Sequence, residues 1–223
     1  MYADDSHDMI VYASGSGSTA GSPLDQYAWC LGNMDFSPNN QGIWDINYDI
    51  TKRPLWPYTG RNADIYRCPS DASYVVVNGV ARPRVRSMSM NFYLGAFDGT
   101  SGGFSVGAYR IYLKTTDLTV PGPANTFVFL DERPDWINWG NYFTDMTGYP
   151  STPTVYQFNG DLPGMFHNLG CSFSFADCHA EIHRWLDPRT TPPLNPNSYV
   201  ATILQVPRDP DVAWLQNHAT GLK

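Results

Sequence analysis

The sharpest alternation of apolar and polar positions lies late in the chain. Cys171, Phe173 and Phe175 fall on one parity, with the small polar Ser172 and Ser174 between them. Beyond Asp177-Cys178 the parity swaps: Ala180 and Ile182 are apolar, while His179, Glu181 and His183 are polar. A period of two on both arms of a break predicts a β-hairpin over 167–186. With the turn at 176–179, Phe175 faces Ala180, Phe173 faces Ile182 and Cys171 faces Arg184. One side of the ribbon is then dry, and the other carries His179, Glu181 and His183, roughly 6.5–7 Å apart along the strand.

Other segments read less sharply. Tyr74–Val77 and Val85–Tyr93 predict strands joined through the turn dipeptide Asn78-Gly79. Ala108–Leu113 and Thr126–Leu130 predict two more, the second following the break Pro121-Gly122-Pro123. Leu24–Leu31 predicts a short helix with Ser22 as its cap and Pro23 in its first turn. Residues 2–12 fit a short helix or a strand. Ser14–Ser22 is a Gly/Ser tract, 36–58 an ordered loop region, and Asp98–Gly103 a turn cluster. Trp136–Pro153 reads as an insertion. The four prolines from Pro188 to Pro196 exclude regular structure there, while Tyr199–Gln205 and Pro210–His218 read as short elements packing back. The sum is an α+β fold, mostly antiparallel sheet with long loops. At 223 residues the chain suits one domain, with an insertion at about 136–153 and an irregular C-terminal extension over 187–223.

Composition removes some functions. The net charge is −7 and no Lys/Arg cluster exists, so nucleic acid is not an expected partner. No apolar run approaches the roughly 20 residues that cross a bilayer. Few Lys with many Asn, Ser, Thr, Tyr and Trp suits an exported protein. Four cysteines without a C-x-x-C spacing allow one or two disulfides, with Cys30–Cys68 the expected pair.

Five segments carry a family resemblance. His167, nine residues and Asp177 are followed by His179 and Glu181; Tyr66-Arg67-Cys68-Pro69-Ser70-Asp71 forms a Cys-Pro-Ser-Asp box; Ser87-Met88-Ser89-Met90-Asn91 forms a strand box; Thr126–Asp135 is a strand ending in Asp131-Glu132; Tyr2-Ala3-Asp4-Asp5 resembles the end of a long helix. In their order along the chain they resemble the prepilin-type processing-associated His-x9-Asp-Gly proteins, relatives of type II secretion pseudopilins. Cys178 stands where that family has Gly. The resemblance implies a pseudopilin-like head whose N-terminal helix is largely missing, a location in the periplasm, at the cell surface or outside the cell, and membrane attachment only through that helix. It also implies homo-oligomers or pilin-like filament subunits as partners, and a Ca2+ site.

The same residues suggest chemistry. Asp131 and Glu132 end a buried-type strand, and they meet His167 and Asp177 if that strand neighbours the hairpin. Clustered carboxylates suit Ca2+, whereas His167, His179 and His183 suit zinc or copper. The metal candidates are therefore His167, Asp177, His179, Glu181 and His183. The plainer reading is a solvated hairpin face, with Arg133 and His167 pairing with the acids to anchor loops. A rival reading is a secreted glycan-active hydrolase or sugar-binding module. Its carboxyl groups would come from Asp131, Glu132, Asp177 and Glu181, and its stacking platform from Trp136, Trp139 and Tyr142. No nucleophile elbow, phosphate loop or dinucleotide fingerprint occurs. The leading expectation is a non-catalytic, secretion-associated assembly protein with a divalent-metal site.

Overall fold

The structure, a computed structural model, describes residues 2–15, 22–97, 99–101, 106–195, 198–200 and 202–223. Most of the Gly/Ser tract at 14–22, part of the turn cluster at 98–103, and Pro196 lie outside them. The fold is α+β and mostly strand. Its strands are β1 (Tyr74–Val77), β2 (Val80–Pro83), β3 (Met88–Asn91), β4 (Phe127–Asp131), β5 (Asn141–Tyr142), β6 (Gln157–Asn159), β7 (Gly170–Phe175), β8 (Ala180–Arg184) and β9 (Ile203–Gln205). Among the described residues the two α-helices are α1 (Tyr2–Asp5) and α2 (Pro210–Ala219). The main sheet runs β5-β3-β4-β7-β8, antiparallel except for the β3–β5 pair; β1–β2 and β6–β9 form separate ribbons.

Turn chemistry sets the register of both hairpins. Asn78 and Gly79 have φ of 51° and 80°, the doubly left-handed turn that closes a two-residue loop. That turn pairs β1 with 80–83 and frees the later segment to join the main sheet as β3. In the terminal hairpin Cys178 takes the left-handed position (φ 75°), Cys178 N–H donates to Phe175 O at 3.0 Å, and Phe175 N–H donates to His179 O at 2.9 Å. The loop is therefore three residues, 176–178, and not four.

One residue fewer in the loop slips the register by one, and a one-residue slip turns every side chain of a strand to the other face. Phe173 faces Glu181, Cys171 faces His183 and Gly170 faces Arg184. The expected separation of a dry side from an ionisable side is thus reversed on β8. His179, Glu181 and His183 share the face of Phe173 and Phe175, while Ile182 points out and is 61% exposed. The His179 ring lies flat on Phe175 with centroids 4.3 Å apart.

Helix α2 closes this aromatic face. Trp214 packs at 4.8 Å from Phe173 and stacks on His183 at 3.8 Å. The helix starts where the sequence supplies a cap and a proline: the Asp209 carboxylate accepts from Asp211 N at 2.8 Å, and Pro210 occupies the first turn. The buried Asp211 carboxylate accepts from Leu186 N, Asp187 N and Thr190 Oγ1 at 2.8–3.0 Å, which fastens the proline-rich stretch to the helix. The extension expected to be irregular thus supplies the layer that covers the sheet. On the opposite face Trp29, Leu55, Ile65, Tyr66, Met88, Phe129 and Ser174 line a cleft of about 190 Å³.

The 136–153 segment, expected as a loop insertion, contributes to the main sheet and the core. It adds β5 beside β3 and buries Trp136 and Tyr142. Residues 108–113 make isolated bridges in place of a strand: Tyr109 with Leu222 and Tyr112 with Leu94. Ser22 caps its helix as expected, although that helix is a 3-10 turn over Pro23–Tyr27. All four cysteines are free thiols, so the expected Cys30–Cys68 bridge is absent. Among the described residues no helix is long and apolar enough to cross a membrane.

Candidate metal centre

Three segments distant in sequence meet at one end of β4. Asp131 ends that strand beside β7, and its carbonyl accepts from Gly164 N at 2.8 Å and from Cys171 Sγ at 3.1 Å. A Cβ at Gly164 would stand 2.9 Å from Asp131 Cβ, so glycine is required for this approach. His167 lies in the loop that turns into β7. Asn168 and Leu169 both adopt left-handed backbone there, and His167 N–H donates to Gly170 O at 3.2 Å. Cys68 follows the 3-10 turn Ala63–Tyr66; its N–H donates to Ser87 Oγ at 2.7 Å. The carbonyl of Ser87 accepts from Glu132 N at 2.8 Å, so one serine ties the cysteine loop to the end of β4.

The donor atoms converge. His167 Nε2 stands 3.1 Å from Asp131 Oδ2 and 3.7 Å from Cys68 Sγ, and the three atoms lie within 4.8 Å of one another. Tetrahedral zinc, with bonds of about 2.3 Å to sulfur and about 2.0–2.2 Å to nitrogen and oxygen, requires S···N near 3.6 Å and N···O near 3.3 Å. The observed separations fall within about 0.2 Å of those values. Cys68 and Asp131 are buried and the imidazole is partly exposed, so the group opens to solvent on the His167 side. The group could hold a metal ion.

Electrostatics favours a cation over a proton relay. Burial pushes the Cys68 thiol up, and the charge of Asp131 raises it further. Burial also pushes the Asp131 carboxyl up, against hydrogen bonds from Ser172 and His167 that pull it back. Both anionic forms are therefore costly here, a cost that a divalent ion would offset. A Cys-His-Asp relay needs the thiol on one ring nitrogen and the carboxylate on the other. Here both approach the same Nε2.

Of the five metal residues expected from sequence, only His167 belongs to this group. Asp177 and His179 pair with each other at 2.6 Å across the exposed hairpin turn, a strand-length away. Glu181 is exposed on β8, and His183 is held between Phe173 and Trp214. The expected meeting of His167 with Asp131 does occur, because β4 pairs with β7. Cys68 was missed as a ligand: the Cys-Pro-Ser-Asp box has no ligand spacing, and its partners lie 63 and 99 residues on.

The hydrolase candidates disperse. Glu132 is fully buried and neither carboxylate oxygen makes a well-formed hydrogen bond. Burial, and after it the charge of Asp161, pushes its carboxyl well up. Asp161 is itself buried, accepting from Asn138 Nδ2 at 3.1 Å and Phe143 N at 2.5 Å. Arg133 forks onto Asp135 at 2.7 and 2.8 Å and does not pair with Asp131. Trp136 and Tyr142 are core side chains, and half-buried Trp139 packs edge-on against Phe97. These three rings therefore form no open stacking platform. No protein-family profile, curated protein or solved structure matches this chain.

Proposed function

We propose that this chain is a non-catalytic, pseudopilin-like envelope protein whose head is fastened by a divalent metal ion, most suitably zinc, at Cys68, Asp131 and His167. The observation that carries the reading is the convergence of three boxes on one point: Cys68 from the Cys-Pro-Ser-Asp box, Asp131 from the strand ending in Asp-Glu, and His167, the first residue of the His-x9-Asp signature. Ser87, which opens a fourth box, braces two of them through its hydroxyl and its carbonyl. Segments that share only their order in the sequence thus share a structural purpose. A thiolate and an imidazole suit zinc and suit Ca2+ poorly, since Ca2+ takes oxygen ligands. An ion held by three segments 36 to 99 residues apart binds the folded chain and not the unfolded one, so it acts as a cross-link.

The rival glycan-active reading draws no support from the dispersed acids or the buried Trp136 and Tyr142. The test is metal content by mass spectrometry after dialysis against equimolar zinc and calcium. One zinc per chain is expected, with stoichiometry lost in Cys68→Ser and His167→Ala and retained in His179→Ala. Calcium alone, or equal zinc in all four proteins, would overturn the site. Fractionation of source cells tests the envelope assignment; protein confined to the cytosol would refute it.

A further inference from the structure

The main sheet has two edges of opposite character. Edge strand β5 is two residues long, and both are buried. Edge strand β8 is five residues long, contains no proline, and is exposed except at His183. Among the described residues nothing pairs with its outer side. Open edges of this kind are templates for another strand.

The outward backbone groups follow from the ladder. Phe175 and His179 form a hydrogen-bonded pair, and such pairs alternate along an antiparallel ribbon. Glu181 and His183 therefore turn their N–H and C=O toward β7, whereas Ala180, Ile182 and Arg184 turn theirs outward. That outward set is symmetric about Ile182.

We propose that β8 is a self-pairing edge, joining two copies of this chain antiparallel about a two-fold axis at Ile182. In this register each outward residue donates one hydrogen bond and accepts one: Ile182 with Ile182 of the second copy, and Ala180 with Arg184. The side chains agree with the backbone. Ile182, 61% exposed in one chain, meets its own copy on one face. On the other, Glu181 stands directly opposite His183, whose Nε2 is buried without a hydrogen-bond partner. Read in reverse, the segment sets no like charges against each other: Arg184 faces Ala180, and Glu181 faces an imidazole that burial holds toward its neutral form. A two-fold contact requires this self-complementarity. The inference goes beyond the metal reading and is independent of it.

Sedimentation velocity from about 5 µM to about 500 µM, a span that covers weak edge pairing, reads the proposal. Wild-type protein shifts from 24.9 kDa toward twice that mass. Ile182→Pro removes an outward N–H and leaves the inward ladder intact; it weakens association at least tenfold. Ile182→Lys sets two ammonium groups directly opposite each other at the two-fold axis and does the same. Both variants keep wild-type zinc content and circular dichroism, which separates this outcome from failure of the metal site. Amide exchange at Ile182 and Arg184 slows with concentration in wild type and not in the proline variant. A wild-type monomer throughout the range, a species larger than a dimer, or unweakened association in both variants would overturn the proposal.

Discussion

Zinc affinity should climb steeply with pH, and the slope follows from the surroundings of Cys68. The thiol sits above its ordinary value of about 8.5, because burial and the neighbouring Asp131 both disfavour the thiolate. Without metal the protonated form therefore predominates around neutral pH. Zinc binds the thiolate, so each ion taken up releases this proton, and affinity rises tenfold per pH unit. Over two units the gain is about hundredfold, or about 2.7 kcal/mol. The Asp131 carboxyl is also raised, so a second proton is released only toward the acid end, where the profile steepens further. Competition with a chromophoric chelator gives the affinities, and calorimetry in two buffers of different ionisation enthalpy gives the protons released. Cys68→Ser should bind more weakly and lose the slope. A flat profile in wild type, or the same slope in the serine variant, would refute the assignment of this thiol as a ligand.

Three further outcomes rest on other parts of the molecule. Cys178→Gly relieves a left-handed cysteine that costs about 1–2 kcal/mol, less the added freedom of glycine in the unfolded chain; melting should rise by about 1–4 °C, and Cys178→Val should lower it. Asp211→Ala strands the Leu186 and Asp187 N–H groups and leaves Thr190 Oγ1 only its longer bond to Asp209, so chemical denaturation should show a loss of roughly 2 kcal/mol or more. Glu132 and Asp161 are both raised by burial, so the stability they contribute is present at low pH and is lost as pH rises through their folded-state values. Metal-free protein should therefore lose stability on going from pH 5 to pH 8. Glu132→Gln should flatten that dependence, and thermal unfolding in chelator at each pH checks it.

Local patterns in the sequence located the elements but not their partners. The Asn78-Gly79 turn, the strand from Phe127, the Ser22 cap and the terminal hairpin all declare themselves through short-range chemistry. The faces of β8 did not. They depend on whether the loop holds three residues or four, and a cysteine in the left-handed position carries none of the glycine signal that would have settled it. The closing helix was legible only as a short element near Pro210, because its task of covering Phe173 and Phe175 is a tertiary fact. The metal centre was half legible. His167 and Asp131 follow from placing β4 beside the hairpin, while Cys68 arrives through a loop whose position no periodicity encodes.

The placing of β4 between β3 and β7 has a consequence for how the chain matures. Cys68, Asp131 and His167 are strangers until both flanking pairings exist, so a nascent or clipped polypeptide that stops short of residue 167 has no complete cage to offer. Capture of an ion at these residues would then be a late event, and a bound ion would certify that the central strand has found both neighbours.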